Sequence, residues 1–311
     1  MAKIPVIIDV DTGTDDAIAI ICALQMKNRL DIRAFTTVMG NVDIEKTSQN
    51  TLNIVSFLEH EHKVAVGADK PLVHTHTKAI IHGETGLGDI QLDKSCREFH
   101  TKNSTETIYE EAVKYDGDLQ ILAVGPLTNI ATALLKYPEL KSLIKQITIM
   151  GGSLVGGNMT QTSEFNIYSD PEAARIVFNS GVPMVMVGLD VTLQPELPEW
   201  VCEQIIKVES AHARLSTKIL SFMSRIEKEI SGGRANLHDV IALCAMTTNN
   251  IIEYQKYNID IECEGALTRG MTVADFNNVL PGELRNVEAA TRIDVNAFWL
   301  WFVSIYQGKY L

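Results

Sequence analysis

Residues 7–20 read IIDVDTGTDDAIAI, and the architecture follows from them. An apolar, β-branched run breaks into a polar loop, and an apolar helical pattern follows at once. That is the strand–loop–helix unit of an α/β protein. Four of the eight residues from Asp9 to Asp16 are aspartates. Asp9 and Asp11 stand two apart, which in an extended chain points them the same way. Asp15 and Asp16 fall at the helix start, where the macrodipole favours negative charge. On one reading they cap the helix and the others are turn residues. The other reading is electrostatic: four carboxylates this close beside an apolar strand repel one another and are costly to desolvate. A hard cation held by oxygens, Ca²⁺ or Mg²⁺, resolves that conflict. An EF-hand is excluded, because positions 6 and 12 counted from Asp9 hold Thr14 and Ile20 in place of glycine and glutamate.

The same alternation continues outward. PVIID (5–9), DIRAFTTVM (31–39), KVAVGA (63–68), LQILAVG (119–125), QITIMGG (146–152) and VPMVMVGLDV (182–191) read as strands. Several are continuously apolar, as expected of strands covered on both faces. Helices are predicted over 15–27, 44–58, 104–115, 127–136 and 171–179. The last opens Asp170-Pro171-Glu172, a cap, a proline at the first helical position and a first-turn acid. The expected fold is an α/β open, doubly wound, mostly parallel sheet of Rossmann-like type, with helices on both faces and a more helical C-terminal part. There, a long helix is predicted over 197–229, a buried helix over 237–246, and a closing helix carrying Trp299 and Trp301. With no repeat, low-complexity tract or linker, residues 1–311 read as one domain.

Composition narrows the function. The 311 residues carry 27 Lys+Arg against 39 Asp+Glu, a formal net charge of −12. Nucleic-acid binding is disfavoured, since phosphate contacts need clustered Lys and Arg and no such run occurs. No stretch approaches the roughly 18 apolar residues of a membrane span. The opening MAKIPVIIDVD is too short in apolar length for a signal sequence. The five cysteines (Cys22, Cys96, Cys202, Cys244, Cys263) are scattered and odd in number, neither a disulfide framework nor a thiolate metal site. A cytoplasmic location is the expectation.

Polar residues gather at the carboxyl ends of the proposed strands, where open α/β sheets bind ligands. Asn41 follows TTVMG, Val124–Gly125 end one strand, and Gly151–Gly152 end another. EFN (164–166) places Glu164 and Asn166 on one side of an extended stretch, as ligand contacts or as solvated loop residues. LHD (237–239) offers His238 and Asp239 at a helix start, as site residues or as a structural histidine and an N-cap.

In order along the chain, DVDTGTDD (9–16), TTVMGN (36–41), HGETGLGD (82–89), AVGPLTNIA (123–131), IMGG (149–152), EFNIYSDPEAA (164–174), GLDVT (188–192) and LHD (237–239) resemble the inosine–uridine-preferring nucleoside hydrolase family. Thr12 stands where that family's opening motif has proline. The resemblance implies Ca²⁺-dependent hydrolysis of the N-glycosidic bond of ribonucleosides, by metal-bound water through an oxocarbenium-like transition state, in nucleoside salvage. It implies Asp11, Asp16, Asp239 and the Val124 carbonyl as metal ligands, with Asp11 also the general base. It places Asp15, Asn166 and Asp239 on the ribose hydroxyls, Asn41 by the water and the 2′-hydroxyl, and Asn158 and Glu164 near the 5′ end. His82 and His238 lie near the base, His238 as the acid toward it, and Asp9 supports the metal ligands from behind. The implied partners are a ribonucleoside and further copies of the chain in a homodimer or homotetramer. The resemblance also implies a wall over the base formed by roughly residues 221–236, with Phe222 its single aromatic.

Two other classes compete. DVDTG matches the first motif of Asp-x-Asp Mg²⁺-dependent phosphatases superficially, but the EFN and LHD blocks have no place in that family. A non-catalytic nucleoside- or calcium-binding protein is the other, and nothing at Asp11 or Asp239 suggests decay.

Overall fold

The computed structural model describes residues 2–79, 81–282 and 286–309. The chain begins β1 (Ile4–Val10), α1 (Thr14–Gln25), β2 (Leu30–Thr37), α2 (Ile44–Phe57), β3 (Lys63–Val66), and then runs irregularly to residue 103. It continues α3 (Ser104–Tyr115), β4 (Leu119–Ala123), α4 (Thr128–Lys136), α5 (Leu140–Leu143), β5 (Ile144–Met150), α6 (Phe165–Ser169), α7 (Pro171–Phe178) and β6 (Met184–Val187). The C-terminal part adds α8 (Leu189–Thr192), α9 (Glu199–Ile206), α10 (Ala211–Ile230), α11 (His238–Thr247), β7 (Ile252–Tyr257), β8 (Ile259–Ile261), β9 (Thr272–Ala274), β10 (Val287–Ile293) and α12 (Val295–Tyr306).

Eight strands form one sheet in the order β3-β2-β1-β4-β5-β6-β10-β7, parallel except for β7, which runs antiparallel to β10. The winding leaves β1 toward β2 and β3, then returns to lay β4 on the other side of β1. The switch point therefore falls between β1 and β4, where a doubly wound sheet opens a crevice beyond its strand ends. Each face of the sheet has its own core. Val6 and Ile8 of β1 point into one, with α1, α11 and the α12 aromatics Phe298, Trp299 and Phe302; Ile7 points into the other, with α3, α4 and α7. Burial on both faces is why β1 reads as an unbroken apolar run.

The expected doubly wound sheet is present, with four corrections to its elements. The strand read over 182–191 covers only Met184–Val187; the β-branched Val191 and Thr192 turn into α8 instead. Asp190 causes this, its carboxylate accepting the N–H groups of Leu154 and Val155 at 2.7 and 3.2 Å and so tying the turn to the loop after β5. The helix read over 197–229 is two helices, because Ser210 caps a fresh N-terminus by accepting the Ala213 N–H at 3.2 Å. EFN is not extended: Glu164 caps α6. The strands β7 to β10 have no counterpart in the sequence reading, which expected this part to be mainly helical. No helix among the described residues is long and apolar enough to cross a membrane.

Candidate active site

The first loop closes on itself through an aspartate. Asp16, one turn into α1, accepts the Asp11 N–H on Oδ1 at 3.1 Å, and the Gly13 N–H and Asn41 Nδ2 on Oδ2 at 2.9 and 3.0 Å. It therefore caps the helix and also stands in the acidic cluster. Asp11 follows the last β1 residue. Its Oδ2 accepts the Asn41 N–H at 2.8 Å, whereas its Oδ1 is buried without a partner. Gly40 and Gly125 flank this carboxylate so closely that a Cβ on either would overlap it. Thr12, in place of proline, holds the loop by a 2.6 Å hydroxyl pair with Thr51 of α2, and its carbonyl accepts Asn50 Nδ2.

Asp239 arrives from the first turn of α11, and carboxylate oxygens of Asp15, Asp16 and Asp239 lie within 4.8 Å of one another, all three residues buried. Burial, compounded by the neighbouring negative charges, holds the carboxyls of Asp11 and Asp239 well above the ordinary range. Asp16 is pushed up to about 7 by burial first and by the charge of Asp15 second. A dication answers that crowding better than protons do, and oxygens are the donors that Ca²⁺ or Mg²⁺ prefers. The buried, unpartnered Asp11 Oδ1 and the converging Asp15, Asp16 and Asp239 thus fit such an ion. Asp9 stands apart from this group. Its Oδ1 accepts Thr36 Oγ1 and, at 2.8 Å, Asn129 Nδ2, and burial raises it to about 7.

The opposite wall comes from the loop after β5. Glu164 accepts the N–H groups of Gly152, Asn166 and Ile167 at 2.9, 2.9 and 3.2 Å, and burial still lifts its carboxyl to about 7. Held by this cap, Asn166 donates Nδ2 to the carbonyls of Val124 and Met150 at 2.8 and 3.0 Å. The Val124 carbonyl keeps a second lone pair. Asn158 braces the same helix, its Oδ1 accepting the Phe165 N–H at 2.9 Å.

Between these walls lies a cavity of about 420 Å³, bordered by Asp15, Asn41, Glu164, Asn166, His238 and Asp239 among others. Two histidines border it as well. His82 Nδ1 accepts the Thr14 N–H at 3.2 Å, so the neutral ring carries its proton on Nε2. His238 Nδ1 pairs with Thr192 Oγ1 at 2.8 Å. Burial lowers the pKa of both rings, against the opposing pull of the Asp15 charge. Its apolar lining includes Met223 and Ile226 of α10, Leu193 and Ile81. Phe222, the aromatic expected in this wall, instead packs against Gly88 and is 8 % exposed.

The fold thus brings Asp11, Asp15, Asp16, Asn41, His82, Val124, Asn158, Glu164, Asn166, His238 and Asp239 around one crevice and sets Asp9 behind it. Sequence reading missed Gly40 and Thr192 as working residues and placed Gly125 at the cleft without a role. Each lies in a block already singled out, but only the closed loop shows what they touch. Lys78, which borders the cavity and pairs with Asp43 at 2.6 Å, comes from an irregular segment with no periodic signal.

Residues 6–300 match the description of the inosine-uridine preferring nucleoside hydrolases. The non-specific ribonucleoside hydrolase RihC of Escherichia fergusonii is 34% identical over 304 residues, covering 97% of this chain and 98% of that protein. The pyrimidine-specific ribonucleoside hydrolase RihB of Escherichia coli is 34% identical over 303 residues, 96% of each. Among solved structures, a purine-preferring ribonucleoside hydrolase from Gardnerella vaginalis superposes with a TM-score of 0.92 at 32% identity, covering 98% of each chain.

Proposed function

The chain belongs to the inosine-uridine preferring nucleoside hydrolase family and is a nucleoside N-ribohydrolase, and we propose that it works through a calcium ion held by its aspartate cluster. The observations that carry this reading are the converging buried oxygens of Asp15, Asp16 and Asp239 and the buried, unpartnered Asp11 Oδ1. Asp11, Asp16, Asp239 and the Val124 carbonyl would hold the ion, with Asp15 near enough to share its charge. An ion held there would supply Lewis acidity, lowering the pKa of a water beside the ribose.

The protein groups do the rest. Asp15, Asn166 and Asp239 hold the ribose hydroxyls, Asn41 lies by the water and the 2′-hydroxyl, and Asn158 and Glu164 reach the 5′ end. Asp11 accepts the proton of the water as its oxygen attacks C1′. The ribose passes through an oxocarbenium-like state, and the fixed carboxylates around it stabilise that positive charge without having to reorganise. The base leaves with the electron pair of the C1′–N bond and is protonated by His238, whose ring Thr192 holds in place. His82 stands beside the same base. Attack by water in a single displacement inverts the anomeric centre.

Free base and ribose are products that suit nucleoside salvage. Trp200 and Ile206 of α9 and Leu300 of α12 leave apolar surface exposed, which supports assembly into a homodimer or homotetramer. Calorimetric titration with Ca²⁺ tests the metal: one ion per chain is expected for the wild type and none for Asp16→Ala. A wild type that takes up no calcium contradicts the reading.

A further inference from the structure

The turn at Gly40 sets two requirements against each other. A Cβ at this position would overlap the Asp11 carboxylate, so the site demands glycine. Glycine, however, leaves the peptide unit that follows it the freest to rotate, because no Cβ restrains ψ at residue 40. That peptide unit carries the Asn41 N–H, which Asp11 Oδ2 accepts at 2.8 Å. A rotated peptide would release the carboxylate. The Gly40 N–H on the other side reaches the Val42 carbonyl at a long 3.3 Å and restrains the turn weakly.

The restraint comes from the carbonyl half of the same peptide. His76 Nε2 lies 2.8 Å from the Gly40 oxygen, and since a carbonyl only accepts, Nε2 carries the proton and donates. A planar peptide turns as one body, so holding its oxygen holds the N–H on its other side. Donation to that oxygen also polarises the peptide and strengthens its N–H as a donor. The ring is itself held. Its side chain is 12 % exposed, Asp43 Oδ1 stands 3.7 Å from Nδ1, and Lys78 Nζ engages Asp43 Oδ2 at 2.6 Å, which ties this segment to the start of α2. Resting on the reading that Asp11 serves the metal and the attacking water, we propose that His76 is a positioning residue for Asp11. From outside the cavity it fixes the direction of that carboxylate through the Gly40–Asn41 peptide. Its loss should misplace the reacting group for every base alike, lowering kcat and leaving KM little changed.

The test compares wild type, His76→Ala and His76→Gln, whose amide Nε2 can donate to the same carbonyl. It measures kcat and KM on uridine and inosine and, by NMR of the full chain, the hydrogen-exchange rate of the Asn41 amide. His76→Ala should lower kcat on the order of ten- to a hundredfold, by the same factor on both nucleosides, the usual loss when a partner that orients a site ligand is removed. The Asn41 amide should exchange about tenfold faster, as expected when the hold on one hydrogen bond is lost. His76→Gln should recover most of both. Unchanged kcat in His76→Ala overturns the proposal, as does a fall in kcat with no faster exchange at Asn41. Losses that His76→Gln does not repair would mark the ring as a packing element and overturn it too. A wild type that releases ribose from neither nucleoside overturns instead the hydrolase reading beneath it, while the exchange rates still decide whether His76 holds the peptide.

Discussion

The two ends of the cavity are built on opposite principles. Where we propose the sugar to lie, Asp11, Asp16, Asn41, Glu164 and Asn166 are buried and cross-bonded, through Asp16 to the backbone of Asp11 and Gly13 and through Glu164 to that of Gly152 and Ile167. Where we propose the base to lie, the lining includes apolar side chains of α10, joined by two histidines each fixed by one threonine. The difference assigns the labour: the rigid, charged end sets the reaction for every substrate, and the looser apolar end sets which base leaves and how fast. Damage to the first should cost all substrates alike, and damage to the second should depend on the leaving group.

The largest effect falls on Asp11. Under the mechanism we propose, Asp11→Ala removes a metal ligand and the general base together and should lower turnover by roughly 10³-fold or more on every nucleoside, in the range of losses when a reacting group is deleted. Near-normal ribose release by that variant would break the comparison. Next comes His238. His238→Ala should slow natural nucleosides by about 10²–10⁴-fold, the usual worth of a positioned acid, yet hardly slow para-nitrophenyl riboside, whose leaving group needs no proton. Equal losses on both would show that His238 is not the acid. Gly40→Ala is the subtler test of the sugar end. The new methyl must displace the Asp11 carboxylate, and a shift of about an ångström in a reacting group can cost on the order of 10². That loss should be uniform across bases, and a loss confined to one base would assign Gly40 to the other end.

The smallest effect is on stability. Asp9, Asp16 and Glu164 are each raised to about 7 from ordinary values near 4. Without metal, the folded protein keeps protons that the unfolded chain has already released. The stability tied to these groups is fully present below about pH 4 and is lost as pH rises through about 7. In a chelator, Tm should therefore fall between pH 5 and pH 7.5, while calcium at a hundredfold excess over its Kd adds about 2.7 kcal/mol where the carboxylates are ionised. Differential scanning calorimetry with and without calcium checks this. A metal-free Tm that is flat or rises over that interval contradicts it.

The same division governs what the sequence could say. Strand β1 and the loop to Asp16 were legible because an unbroken apolar run, a switch to helical spacing and four aspartates all signal locally. Strands β7 to β10 were not, since β7 is short, half exposed and polar, and a lone antiparallel edge strand has no helix after it to mark a β-α repeat. Residues 182–191 misled because the β-branched Val191 and Thr192 obey Asp190 rather than their own propensity. Glu164 was found but given the wrong backbone, for an acid that caps a five-residue helix resembles one in a loop. Phe222 was noted for its ring, and only the packed structure shows that ring against Gly88.

We propose that this cluster of aspartates, loaded with calcium, cuts ribonucleosides into ribose and base. Reducing-sugar release from a panel of ribonucleosides, by one preparation assayed as purified, after chelation, and after calcium is restored, tests it most directly. Sugar release that disappears on chelation for every base and returns with calcium is the predicted result. Release that persists undiminished in the chelator, or no sugar from any nucleoside under the three conditions, would contradict it.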